Sequence, residues 1–138
     1  MKLITRDTDY AIRAIAYMFS AKQEITAAGE LVRALKIPRS FLRKIMQKLN
    51  RARLLKSYKG QGGGFRLAVP AKQISLMRLI RIFQGRFQLN ECFFKKRVCP
   101  HTASCGLKRK IDKIEKQLIK ELGAINMGSL IEREGKYA

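Results

Sequence analysis

Three apolar stripes at helical spacing open the chain, and the short connections between them limit how it can fold. Apolar residues recur at intervals of three and four through positions 12–19, 28–35 and 42–49, which is the period of an amphipathic helix. Residues suited to a helix start precede the stripes: Asp7, Thr8 or Asp9, then Thr26, then Pro38. Three short helices around one apolar centre predict a helix-turn-helix.

The third of these helices has an outer face that is polar and basic. Its members are Ser40, Arg43, Lys44, Gln47 and Arg51, with Arg39 at the start of the helix. The chain has a formal net charge of +20, and positions 31–90 hold 15 of its 30 Lys and Arg residues but no Asp or Glu. An ordinary solvated face is the alternative. Because helices usually mix both signs, the imbalance favours a polyanionic partner, most often nucleic acid.

A helix in the major groove of double-stranded DNA needs side chains of these types. We expect Arg43 and Gln47 to contact base edges, with Ser40 assisting. We expect the cations at Arg39, Lys44 and Arg51 to contact phosphates.

Two short strand patterns follow, joined by glycines. The segments LLKSYK and FRLAV flank GQGGG, and Phe65, Leu67 and Val69 alternate along the second of them. A phosphate-binding loop is the alternative, but no Lys-Ser or Lys-Thr follows the glycines. The pattern therefore predicts a hairpin, the wing of a winged helix, with Lys59 and Arg66 as further phosphate contacts.

The rest of the chain predicts two more helices. One is capped by Ser75 and ends at Gly85, and a longer one runs from Gly106 to about Ala124. The longer helix carries a narrow apolar stripe of Leu107, Ile111, Ile114, Leu118 and Leu122. Such a stripe favours packing on a partner helix and hence a homodimer, with packing on its own domain as the alternative.

The predicted fold is mainly α with a small β-hairpin wing: a winged helix-turn-helix plus a long C-terminal dimerisation helix. We divide it into a DNA-binding domain at 1–85, a cysteine-containing loop at 86–105, and a dimerisation helix with a C-terminal tail at 106–138. No apolar run is long enough to cross a membrane. Two acids near the N-terminus interrupt any signal peptide, so we expect a cytoplasmic protein without a membrane partner.

The predicted loop contains all three cysteines of the chain. Cys92, Cys99 and Cys105 have the spacing C-x6-C-x5-C, and their odd number argues against a structural disulfide. The basic residues beside them favour the thiolate, which is the form that binds metals. The paired C-x2-C of many zinc sites is absent, whereas iron–sulfur clusters accept more varied spacings. A metal or cluster, a bare thiol redox sensor, and cysteines without a shared role all remain open on spacing alone.

The order of these elements resembles the IscR/NsrR group of bacterial transcription regulators. The likeness extends from MKLITRDTDYAIRAIAYM through KGQGGGFRLAVPAKQI and CPHTASCGLKRKI to GSLIE, almost the whole chain. The resemblance implies that Cys92, Cys99 and Cys105 bind an iron–sulfur cluster whose state changes the grip on promoter DNA. The six-residue gap after Cys92 is wider than the family's commonest gap, so both [2Fe–2S] and [4Fe–4S] clusters stay open.

The fourth ligand divides this group of regulators. The IscR-like branch has a histidine three positions after the last cysteine, where this chain has Lys108. In the nitric-oxide-sensing NsrR branch an aspartate at the start of helix one reaches the cluster, and the matching residue here is Asp9. A helix N-cap is the alternative role of Asp9, and His101 is a further candidate ligand.

These observations predict a homodimeric repressor whose cluster senses nitric oxide, redox state or iron supply. The runner-up is a basic RNA-binding protein with a structural zinc site, although the aromatic residues fall largely on apolar stripes rather than on a stacking surface. An enzyme is not expected, because a single histidine and the acid-free segment leave few places for a general acid–base pair.

Overall fold

The computed structural model describes residues 2–21, 23–89 and 105–134. Within these ranges the chain forms six α-helices, one 3₁₀ turn and one hairpin. They are α1 (Arg6–Ser20), α2 (Ala28–Leu35), α3 (Arg39–Arg51), β1 (Leu55–Tyr58), β2 (Gly64–Leu67), the 3₁₀ turn (Ala71–Gln73), α4 (Leu76–Gln84), α5 (Gly106–Ala124) and α6 (Met127–Glu134).

Helix α1 is the central element of the core. Its stripe is buried as predicted at Ile12, Ile15 and Ala16, whereas Phe19 at its C-terminal end is partly exposed. The N-cap is Thr5, whose hydroxyl accepts a hydrogen bond from the Thr8 backbone N–H. The predicted caps at Asp7, Thr8 and Asp9 are therefore wrong, because the helix begins earlier and all three residues lie inside it.

Helices α2 and α3 form the predicted helix-turn-helix. Lys36 closes α2 in the left-handed conformation, with φ of 54°, and α3 begins directly after Pro38. The α3 stripe is fully buried, as predicted, at Leu42, Ile45, Met46 and Leu49. Thr26 does not cap α2 as predicted, since the N-cap position belongs to Ala27, which has no capping side chain.

Strands β1 and β2 form the antiparallel hairpin, with Leu55 opposite Leu67 and Tyr58 opposite Gly64. Buried Thr26 extends this sheet, because its N–H donates to Phe65 O at 2.9 Å and its carbonyl accepts from Phe65 N–H at 2.8 Å. A Cβ at position 64 would collide with the Thr26 carbonyl, so glycine is required there. The hairpin is thus held against the α1–α2 connection, which explains why Thr26 is unavailable as a cap.

Helix α4 begins and ends where the sequence predicts. The Ser75 hydroxyl accepts from the Arg78 N–H at 3.1 Å, and Gly85 terminates the helix with φ of 77°. Helix α5 likewise has its predicted bounds, but within the described residues it is buried only at its C-terminal end, at Leu122.

Helix α6 was not predicted, and it returns the chain to the core. Met127 N–H donates to Ile74 O at 2.9 Å, and Met127 and Ile131 are buried in the same cluster as α1. Gly128 permits this close approach, because a Cβ there would collide with Lys72. The C-terminal region therefore contributes to the core of the N-terminal one, while the division into three predicted domains stays a prediction. No helix in the described ranges is long and apolar enough to cross a membrane.

Candidate nucleic-acid interface

The outward surface of α3 carries most of the side chains predicted to contact DNA. It exposes all six of them to solvent: Arg39, Ser40, Arg43, Lys44, Gln47 and Arg51. We call this set the basic face of α3. No described carboxylate forms an ion pair with any of its cations. Their donors are therefore available to phosphates and base edges.

Helix α4 fixes the C-terminal end of α3. The Arg78 guanidinium donates to the carbonyl of Ala52 at 3.1 Å, satisfying a carbonyl at the helix end. The Lys48 ammonium lies 5.6 Å from the centroid of the Phe83 ring, within the range of a cation–π contact. Arg78 and Lys48 thus position α3, a role that the sequence did not reveal because it depends on how two helices pack.

The hairpin presents its two predicted cations differently. Lys59 is exposed in the turn, whereas Arg66 on β2 donates from Nη1 to Glu24 Oε1 at 2.7 Å. The Arg66 guanidinium also lies 5.9 Å from the Tyr58 ring. Glu24 lies just before the acid-free segment, so charge counting within that segment does not find it.

A second polar group links α1 to α2. The Tyr17 hydroxyl donates to Glu30 Oε1 at 2.6 Å, and Gln23 Nε2 donates to Glu30 Oε2 at 2.6 Å. These hydrogen bonds, that of Tyr17 first, hold the pKa of Glu30 below its usual value. The hydrogen bond to Glu30 is also the main reason that the pKa of Tyr17 is raised. The group therefore stabilises the pairing of α1 and α2 in which Glu30 is ionised and Tyr17 is neutral.

The start of α1 is joined to the end of α4 by one side chain. Gln84 Oε1 accepts from the Thr5 N–H at 3.1 Å and from the Thr8 hydroxyl at 2.8 Å, and Gln84 Nε2 donates to Leu3 O at 3.2 Å. Asp9, one turn further along α1, forms an i,i+4 ion pair with Arg13 at 3.0 Å. Asp9 is therefore not a helix cap, and its side chain is 39% exposed.

Of the predicted cluster ligands, Asp9 and Cys105 belong to the described residues. Cys105 is half-buried at the N-cap of α5, where its Sγ accepts from the Lys108 N–H at 3.4 Å. Cys92, Cys99 and the candidate His101 lie outside the described residues. Residues 2–21, 23–89 and 105–134 contain no group of three metal-ligating side chains, so they do not by themselves assemble a metal site.

Comparison with known proteins identifies the family of the chain. The model of the Rrf2 family, described as iron-dependent transcriptional regulators, matches residues 4–133. The chain is 33% identical over 129 residues to the transcriptional regulator NsrR of Oceanobacillus iheyensis, which covers 92% of this chain and 88% of that protein.

Solved structures show the same fold. CymR, the global cysteine regulator of B. subtilis, superposes with a TM-score of 0.76 at 18% identity, covering 96% of this chain and 98% of that one. IscR of T. potens gives a TM-score of 0.70 at 18% identity, covering 96% and 88%. These likenesses confirm the winged-helix fold.

Family membership also bears on two questions that the sequence raised, whether the chain is an enzyme and whether its partner is DNA or RNA. The matched family and the NsrR relative are transcriptional regulators, which confirms the prediction that the chain is a regulator and not an enzyme. The same finding favours DNA over RNA as its partner. The exposed basic face of α3 agrees with that role. The chain therefore belongs to the Rrf2 family of DNA-binding transcriptional regulators.

Proposed function

We propose that this regulator is a homodimeric cytoplasmic repressor that reads promoter DNA through the basic face of α3 and through the hairpin. The observation that carries this proposal is that no carboxylate among the described residues forms an ion pair with a cation of the basic face. The apolar side of α3 is buried in the core, so the remaining surface offers cations and hydrogen-bonding side chains to a partner.

The side chains divide by the chemistry that they can offer. A guanidinium can bond two acceptors of one guanine and an amide can pair with adenine, so Arg43 and Gln47 would read bases, with Ser40 assisting. The remaining cations would contact phosphates, which position a protein on DNA without reading sequence: Arg39, Lys44, Arg51, Lys59 and Arg66.

The test of this interface is Arg43→Ala, measured as DNA affinity over a panel of single-base variants of a selected binding site. We expect a loss of about 1–3 kcal/mol and a relaxed preference at one base pair. Lys120→Ala, which removes one charge from the exposed side of α5, is the matched control and should leave base preference unchanged. Uniform weakening on all sequences would make Arg43 a phosphate contact, and no weakening would exclude this face.

We further propose that Cys92, Cys99 and Cys105 hold an iron–sulfur cluster with Asp9 as the fourth ligand. The surroundings of Cys105 fit such a ligand, because it lies at the N-terminus of a helix, an end that favours negative charge, and its Sγ already accepts an N–H. Asp9 is a candidate because its carboxylate, near the start of α1, is partly exposed although it is paired with Arg13. A bound cluster would supply a centre that reacts with nitric oxide or oxidants and depends on iron supply.

Anaerobic purification with absorption spectroscopy and iron, sulfide and zinc analysis tests the cluster. We expect a coloured protein whose colour is lost with Cys105→Ser. Asp9→Asn should alter the spectrum while Asp7→Asn, the matched control on the same helix, should not. A colourless protein with stoichiometric zinc would overturn the sensor proposal. Separate additions of nitric oxide, oxidant and iron chelator, each followed by a DNA-binding assay, then identify the signal.

A further inference from the structure

One side chain predicted to contact DNA, Arg66, already forms an ion pair with an acidic side chain. Arg66 forms its ion pair with Glu24 at 2.7 Å, with side-chain exposures of 35% for Arg66 and 73% for Glu24. The other cations predicted to contact DNA have no carboxylate partner among the described residues. The hairpin therefore differs from the basic face of α3 in carrying its own counter-ion.

The backbone holds this pair in place. Thr26, two residues after Glu24, is fixed to Phe65, the neighbour of Arg66, by two backbone hydrogen bonds. The guanidinium lies 5.9 Å from the centroid of the Tyr58 ring, and Arg66 Nε is buried with no hydrogen-bond partner in the part of the chain that the structure describes. Glu24 and Arg66 are thus brought together by the same contact that attaches the hairpin to the α1–α2 connection.

A carboxylate and a DNA phosphate compete for the same donors. Both accept hydrogen bonds from a guanidinium, so a phosphate that approaches Arg66 Nη1 competes with Glu24 Oε1 for that donor. An exposed ion pair is weak, and its effect is therefore a few-fold change in affinity rather than a block.

We propose that Glu24 is a built-in competitor of DNA phosphate for Arg66 and so determines how much the hairpin adds to general duplex binding. This inference rests on the proposed DNA interface. In the complex with arbitrary duplex Arg66 stays with Glu24, and the protein binds such DNA less tightly than its charge suggests.

The experiment uses the full chain, a mixed-sequence DNA duplex and a series of salt concentrations. Glu24→Gln should raise affinity a few-fold at low salt. It should also steepen the slope of log affinity against log salt by about 0.9, because one more phosphate is neutralised. Glu121→Gln removes the same charge from an exposed position on α5 and should change the slope little.

The double variant shows whether the effect passes through Arg66. In an Arg66→Gln background the Glu24→Gln change should have no effect beyond that of the Glu121→Gln control, since coupled residues do not add. Equal effects of Glu24→Gln with and without Arg66, or equal effects of the Glu24 and Glu121 variants, would overturn the proposal. Arg43→Ala shows which proposal has failed when one of these outcomes is found. If Arg43→Ala also leaves DNA binding unchanged, the proposed DNA interface is wrong. If Arg43→Ala weakens DNA binding as expected, only the proposed role of Glu24 is wrong.

Discussion

Helices α3 and α5 are both amphipathic and basic, yet they use their two faces in opposite ways. In α3 the apolar side chains are buried, including Leu42 and Leu49, and the charged face is open. In α5 the apolar stripe is exposed over its first half, with Leu107 at 69% and Ile114 at 50%, and is buried only at Leu122.

The difference shows which partner each surface can accept. Because α3 has buried its apolar atoms, its outer surface can recognise only polar or charged groups. Because α5 leaves neighbouring apolar side chains uncovered while Lys108 is paired with Asp112 at 2.7 Å, its stripe is suited to another protein surface. We propose that α3 faces nucleic acid and that α5 faces a second copy of the chain.

The largest expected effect is the loss of stability at the buried stripe of α3, measured against the exposed stripe of α5. Leu49→Ala should lower the free energy of unfolding by about 2–5 kcal/mol, because it leaves a cavity in the core. Leu107→Ala should cost less than about 0.5 kcal/mol in dilute protein. Urea unfolding at two protein concentrations measures both. A loss at Leu107 as large as that at Leu49, and independent of concentration, would contradict the comparison.

The next effect concerns the proposed dimer. Ile114→Asp places a charge in the exposed stripe and should weaken self-association roughly 100-fold, equivalent to about 2.7 kcal/mol, as measured by analytical ultracentrifugation. Lys116→Gln makes the same change in net charge at an exposed position on α5 away from the stripe, and its self-association should match that of the unmodified chain. If the unmodified chain is monomeric at all concentrations, the dimer proposal fails.

The smallest expected effect is a pH dependence between α1 and α2. The pKa of Glu30 is lowered in the folded chain, so its stabilisation is present above its usual pKa and is lost as the pH falls through the lowered value. The pKa of Tyr17 is raised, so its stabilisation is present below its usual pKa and is lost as the pH rises through the raised value. Tyr17→Phe should flatten unfolding stability at both extremes, measured by thermal unfolding across pH. An unchanged profile would show that the hydrogen bond adds nothing.

Local sequence patterns predicted those parts of the fold that depend on neighbouring residues. Ser75 and Gly85 bound α4 as expected, and α5 has its predicted limits, because caps and stripes act within a few positions. The predicted caps of α1 were wrong because the helix begins earlier, at a Thr5 cap whose backbone N–H donates to Gln84, 79 positions away. Helix α6 was not predicted because it is stabilised by packing against α1, which is distant in the sequence.

The candidate site was likewise predictable only where neighbouring residues determine it. Helical periodicity alone predicted which α3 side chains face outward, and the structure exposes all of them. The pairing of Arg66 with Glu24 joins residues 42 positions apart, so no local pattern indicates it. The support of α3 by Arg78 likewise depends on a contact between two helices.

The way in which α5 is attached has a mechanical consequence, because its contacts lie at the middle, where Glu115 Oε2 accepts from the Leu89 N–H at 3.2 Å, and at the C-terminal end. Its C-terminal end is fixed by buried Leu122 and by the backbone bonds of Ile125 and Met127, while Cys105 lies at the opposite end. At 1.5 Å per residue these ends are about 26 Å apart. A tilt of roughly 10° about the fixed end would move the Cys105 end by about 4–5 Å, by the same helix geometry. A tilt of α5 would therefore convert a small angle at the core into a displacement larger than a hydrogen bond.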